Sequence, residues 1–149
     1  MILAKPAVPP SDVEGCLPGS DYIDSYCVTT MPGLDPVGAA RLIFDHPPRW
    51  IVQLSKLRDA IVVPFGLKST KPNPSTIGIF PIQSITADRV VMGMDDTHLD
   101  FRVVVHVDGP MVTVTTLVRY RTAFGNFYMS AIKPAHRLIA RTMVGRIAK

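Results

Sequence analysis

Polar and apolar positions alternate from Asp21 to Thr30 in "DYIDSYCVTT", a stretch rich in aromatic and β-branched residues that stops at Pro32-Gly33, and a first strand is expected there. The period then lengthens to that of a helix. In "LDPVGAARLIFDH" Asp35 stands as an N-cap, Pro36 takes the first helical position, and Val37, Ala40 and Phe44 share a face. Pro47-Pro48 ends this short helix and opens a second, in which Trp50, Leu54, Leu57, Ile61 and Phe65 recur at spacings of three and four before Gly66 stops it. "KSTKPNPST", Lys68 to Thr76, carries prolines, an asparagine and no large apolar side chain, so it reads as a surface loop.

Beyond that loop the period falls to two. Strands are expected from Ile77 to Thr86, Arg89 to Met94, His98 to Val107 and Met111 to Arg121, joined by the hairpin-like connections "ADR", "DDT" and "DGP". From about Gly125 the helical spacing returns, with Tyr128, Ala131, Ile132, Ala135, Leu138, Ile139, Thr142, Met143 and Arg146 on one stripe and Pro134 expected to kink or restart the helix. Met1 to Ser20, rich in Pro, Gly and small polar residues, reads as a flexible arm ahead of a single domain over residues 21–149.

An antiparallel sheet with one apolar face needs a cover, and the long amphipathic terminal helix is the element able to supply it. The expected fold is therefore α+β with a helix-grip architecture: a strand, two short helices, an antiparallel β-meander, and a long C-terminal helix packed on the concave face of the curved sheet. The space between sheet and helix is then the natural pocket, concave and mostly apolar.

Composition narrows the class. At 149 residues, 47% hydrophobic and 19% charged, the chain suits one folded domain with one core. No window supplies the roughly 18 uninterrupted apolar residues of a membrane span, and "MILAKPAVPP" lacks the apolar stretch of a secretory signal, so a cytoplasmic location is expected. Cys16 and Cys27 have no C-x-x-C spacing and read as free structural thiols. The net charge of +4 is uneven, since Arg119 to Lys149 holds seven Lys or Arg and no acid. These charges are dispersed, as on a solvated helix face, and no nucleic-acid motif accompanies them. No nucleic acid is expected as a partner, and the chain is expected as a monomer or homodimer.

The segments "HPPRWIVQLSKLRDAIVVPFGLK", "GMDDTHLDFRVVV" and "FYMSAIKPAHRLIARTMVGR", in this order and at these distances, resemble the uncharacterised bacterial family known as domain of unknown function 2867. The likeness runs from about Asp21 to Arg146, nearly the whole domain. It implies a START-like fold, the helix-grip superfamily of polyketide cyclases, aromatase-like proteins and hydrophobic-ligand carriers. It implies no activity, because fold alone does not carry one. A related module is fused in some proteins to a nucleotide-binding oxidoreductase domain, but no G-x-G-x-x-G follows the first strand here, so that chemistry is not inherited.

The densest cluster of ionisable groups is "DDTHLDFR", Asp95 to Arg102. Strand alternation divides it, with Leu99, Phe101, Val103, Val105 and Val107 on the core face and His98, Asp100, Arg102, Val104 and His106 on the other. His98, Asp100 and Arg102 are the catalytic candidates. An acid or base there would have to be tuned, whereas a neighbouring arginine holds a carboxylate permanently charged, as in a salt-bridge ladder shared with Arg119. His98-x-Asp100 has the spacing of two metal ligands, but His106 lies about 26 Å along the strand and His136 on the helix packed against the opposite face, so no metal site is expected. P-loop, G-x-S-x-G and H-E-x-x-H patterns are missing, and no cofactor is expected.

The concave face offers a different kind of site. Phe101, Val103, Val114, Thr116, Tyr120, Tyr128 and Ile132 are expected to line a greasy space with one or two oxygens, suited to a small hydrophobic molecule. Lys133, Arg137 and Arg141 recur every four residues as a basic ridge. The leading expectation is a binder of a small hydrophobic ligand. The alternatives are a cofactor-independent cyclase, lyase or isomerase, which requires an ionisable side chain in the pocket, and a protein interaction module using the basic helix.

Overall fold

The long runs of β-branched residues after Arg89 pair with one another, and that pairing organises the molecule. The computed structural model describes residues 2–65 and 76–148. Its strands are β1 (Lys5–Pro6), β2 (Tyr22–Thr29), β3 (Thr76–Ile77), β4 (Phe80–Ile85), β5 (Arg89–Asp95), β6 (Leu99–Asp108) and β7 (Met111–Tyr120), and its helices are α1 (Pro36–Phe44), α2 (Arg49–Val62) and α3 (Ala123–Gly145). Among the described residues the strands form one antiparallel, open, curled sheet in the order β1-β2-β7-β6-β5-β4-β3. With α3 laid across it, the arrangement is α+β and that of a helix-grip fold. The expected stop at Gly66, and the expected loop Lys68 to Thr76 except for Thr76, lie outside the described residues.

Two boundaries differ from the periodicity. The strand expected from Ile77 to Thr86 is two strands, because Gly78 has φ of 58° and turns the chain back between β3 and β4. Gly78 N–H donates to Asp45 Oδ1 at 2.8 Å, and a Cβ at this position would lie 2.9 Å from the Phe44 carbonyl oxygen. A turn fixed by the distant end of α1 leaves only a glycine as its signature. The terminal helix, expected to kink or restart at Pro134, does not restart there and is one helix from Ala123 to Gly145 with Pro134 inside it. A proline removes one N–H from the ladder, a loss that packing of the helix on both sides can offset.

Start signals are local and hold. Asp35 caps α1 by accepting from Gly38 N–H at 3.1 Å, with Pro36 next to it. Thr122 caps α3 by accepting from Gly125 N–H at 3.2 Å. The buried face of α1 is one step round from the expected one, formed by Ala39, Ala40 and Ile43 with Val37 and Phe44 at its margin. In α2, Ile51 is buried, whereas Trp50, Leu54, Leu57 and Ile61 of the expected stripe are 40%, 41%, 57% and 56% exposed.

Alternation fixes both faces of the sheet. On the concave face Val90, Met92, Val103, Val105, Val112 and Val114 pack under α1 and the end of α3, where Met143 and Val144 close the core. Each such side chain taken out of water contributes about 1.5–3 kcal/mol. A second group, Tyr22, Leu99, Val118 and Met129, packs under the first half of α3. On the opposite face Val91, Val104 and Leu117 are covered by Val13 and Leu17 from the N-terminal segment.

That segment, expected as an arm, makes specific contacts throughout. Ala4 N–H donates to the Arg141 carbonyl at 3.0 Å, Lys5 and Pro6 add β1 to the sheet beside β2, and Val13 and Leu17 reach the convex face at 1% and 2% exposure. It runs from α3 around the sheet edge to the far side. Among the described residues no helix is long and apolar enough to cross a membrane.

Candidate functional site

"DDTHLDFR" lies at the β5–β6 hairpin, and alternation sends Asp100 and Arg102 to the convex side, opposite the face that α3 covers. Asp100 stands opposite Arg119 across β6–β7 and is fully buried. Arg119 Nη2 donates to Asp100 Oδ2 at 2.8 Å and Arg121 Nε to Oδ1 at 2.6 Å, while Arg119 Nη1 donates to the Pro18 carbonyl at 2.8 Å. Burial alone pushes a carboxyl up, but the hydrogen bonds and charges of the two arginines outweigh it and hold Asp100 below the usual carboxylate value. Arg102, expected beside Asp100, pairs instead with Asp95 Oδ1 at 3.0 Å, diagonally across β5–β6, while both Asp100 oxygens are held by Arg119 and Arg121. His98 Nδ1 lies 2.7 Å from Thr122 Oγ1, and its ring packs against Phe124. These groups tie β5, β6 and β7 to the N-terminal segment and to the start of α3. A carboxylate with both oxygens held by arginines is a poor base.

Between the two concave-face clusters, at their seam, a cavity of about 150 Å³ remains. Phe80, Phe101, Val103, Thr116 and Val118 wall it on the sheet side, and Met129, Ile132 and His136 on the helix side. Its rings meet edge to face: Phe80 and Phe101 have centroids 5.9 Å apart at 71°, and Phe44 and Phe80 5.2 Å apart at 86°. The polar side chains gather at the β2–β7 side. Thr116 is opposite Asp24 in the strand register, and His136 Nε2 lies 3.1 Å from Asp24 Oδ2.

Asp24 is the hub of that end. Tyr22 OH donates to Asp24 Oδ2 at 2.5 Å, Arg137 Nε donates to Tyr22 OH at 3.4 Å, and the Tyr22 ring meets the His136 imidazole edge to face. Burial, and then the hydrogen bond to Asp24, push the Tyr22 phenol from 10.0 up to about 12. Tyr26, next on this face, is raised too, first by burial and then by the Asp24 charge. Asp24 Oδ1 and His136 Nε2 are both enclosed and neither has an aligned hydrogen-bond partner among the described residues. The pair is thus close enough for charge attraction but not aligned as a hydrogen bond.

Of the residues expected to line the cleft, Phe101, Val103, Thr116 and Ile132 do so. Val114 belongs to the neighbouring core. Tyr120 and Tyr128 pack beside the cleft, and the Tyr128 phenol accepts from Arg58 Nε of α2 at 2.9 Å rather than pointing into it. Asp24 and His136 escaped the sequence reading as a pair. Alternation from Tyr22 to Val28 does place Asp24 on the inward face between two tyrosines, and an acid there is the signal that was available. The basic ridge packs locally: Lys133 Nζ sits 5.1 Å over the Tyr22 ring, and Arg141 Nε donates to the Ala4 carbonyl at 3.1 Å. Cys16 and Cys27 are free thiols. Among the described residues no group of three His, Cys, Asp or Glu could hold a metal ion.

Fold and site together define a sheet-and-helix protein whose long C-terminal helix closes a small, mostly apolar cleft with one ionisable end. The model of the family described as "Protein of unknown function (DUF2867)" matches residues 16–143, and the chain belongs to that family. No curated protein and no solved structure matches it.

Proposed function

We propose that the protein binds a small, mainly hydrophobic molecule in the cleft between the sheet and α3, as hydrophobic-ligand carriers of the START-like superfamily do. The observation that carries this reading is the cavity itself. Interiors pack at crystal-like density with few voids larger than a water molecule, so a mostly apolar, partly open cleft of about 150 Å³ between sheet and helix is a break in that packing, and a concave apolar space is where small molecules bind. Native mass spectrometry of the full chain purified from cells tests it. The reading expects a mass excess that Ile132→Phe, which fills the cleft, abolishes. The same bare-chain mass for both proteins, or an excess that the filled chain keeps, contradicts it.

A cofactor-independent cyclase, lyase or isomerase is the second reading, and one observation favours it: an ionisable side chain, His136, reaches the cleft with a carboxyl behind it. This reading expects the co-purified molecule to change mass on incubation with the wild-type chain and not with His136→Gln. An unchanged molecule with both chains contradicts it.

A further inference from the structure

The cleft is unevenly lined, and the unevenness specifies an occupant. Its size equals that of an apolar cavity known to admit benzene, roughly 150 Å³. The far end, toward β4 and β6, presents Phe80 and Phe101, the Met129 thioether also lines the cleft, and aromatic rings and thioethers both favour a ring as neighbour. The near end, toward β2 and β7, presents the Thr116 hydroxyl and the His136 ring. Behind His136 stands Asp24, 3.1 Å from Nε2. The carboxyl holds the imidazole at this end by charge attraction, and the ring and the Thr116 hydroxyl are the polar groups that line it. Polar hydrogen-bonding groups at one end of a ring-sized apolar space call for a ligand with a hydroxyl at one end of a ring.

We propose that the cleft takes a single-ring phenol or an equally small hydroxylated ring, its ring against Phe80 and Phe101 and its hydroxyl toward His136 and Thr116, with Asp24 positioning the imidazole. This rests on the cleft being a binding site and adds the chemical class of what binds. Asp24 acts through His136 and touches no ligand atom. Its own remaining oxygen, Oδ1, is enclosed without a donor, so the carboxyl is committed to the polar end by charge rather than by a full set of hydrogen bonds.

The test uses phenol, fluorobenzene and benzene as probes on the full chain, read by carbon-13 methyl NMR at Ile132 and Met129 together with fitted Kd values. All three probes are expected to shift these methyl groups. Phenol is expected to bind about tenfold more tightly than fluorobenzene, which has the same shape without the donor. Asp24→Asn and His136→Leu are expected to bring that ratio down to about one or two, and Asp24→Asn, which touches no ligand atom, to leave the benzene Kd within about twofold. A ratio near one in the wild-type chain, with the methyl groups still shifting, overturns the phenol assignment and leaves the cleft reading standing. A ratio that stays near ten in both variants overturns the role of the Asp24–His136 pair. No shift with any probe overturns the cleft reading as well. If either variant fails to fold, the three probes on the wild-type chain decide the ligand class alone.

Discussion

Replacing Asp100 by Asn keeps the shape of its carboxyl and removes its charge, leaving Arg119 and Arg121, which at 37% and 47% exposure can hydrate instead. The expected cost is about 2 kcal/mol, below the roughly 3–5 kcal/mol for breaking a fully buried pair. It would be read as a lower urea midpoint at unchanged slope. Removing both arginines instead strands a buried carboxylate, and should cost more than Asp100→Asn. The pH dependence follows in sign: Asp100 titrates lower in the folded than in the unfolded chain, so its stabilisation is complete above its unfolded value near 3.9 and fades as pH falls through the folded value. Acid unfolding of the wild-type chain should therefore steepen below about pH 4, and that part of the slope should vanish in Asp100→Asn. Tyr22 is the mirror case. With its phenol raised to about 12, its contribution is complete below 10 and is lost as pH rises from 10 toward 12. Absorbance titration of Tyr22→Phe against wild type should remove one late-ionising phenol. At this scale, alternation made the split of "DDTHLDFR" legible, because the facing of a residue on a strand depends only on parity. The Asp24–His136 contact was not legible, since it joins residues 112 positions apart through the docking of α3.

Elements carry their own tests. Asp35→Ala removes the cap that accepts from Gly38 N–H and should cost about 1 kcal/mol, measured by chemical denaturation. Leu17 is buried at 2% exposure between the N-terminal segment and the convex face, so Leu17→Ala should cost about 2–4 kcal/mol although it lies ahead of β2. A change within about 0.5 kcal/mol, as at an ordinary surface site, would contradict a structural role for that segment. Caps, helix periods and hairpins were readable because their signals are a few residues long. The turn at Gly78 and the packing of Val13 and Leu17 were not, for a short reason: glycine and proline mark a bend without saying what the bend rests against. The stripe of α2 shows the reverse error, since period predicts a helix but not which face meets the sheet.

For the whole molecule, element order was enough to anticipate that α3 covers the concave face, because no other element was long and amphipathic enough to do so. Order also anticipated a pocket between sheet and helix, but not its volume or its place between the clusters under the two ends of α3, since a void is a shortfall in packed volume between distant residues. A ligand that fits should also raise the melting temperature in proportion to the logarithm of its concentration, while leaving the Ile132→Phe chain unmoved. Electron density in crystals of the full chain grown with phenol is the most direct measurement. Density for a single ring bounded by Phe101, Thr116 and His136 is expected, whereas a cleft closed by the side chains of Phe80 and Met129, with phenol absent or held elsewhere, would contradict the assignment.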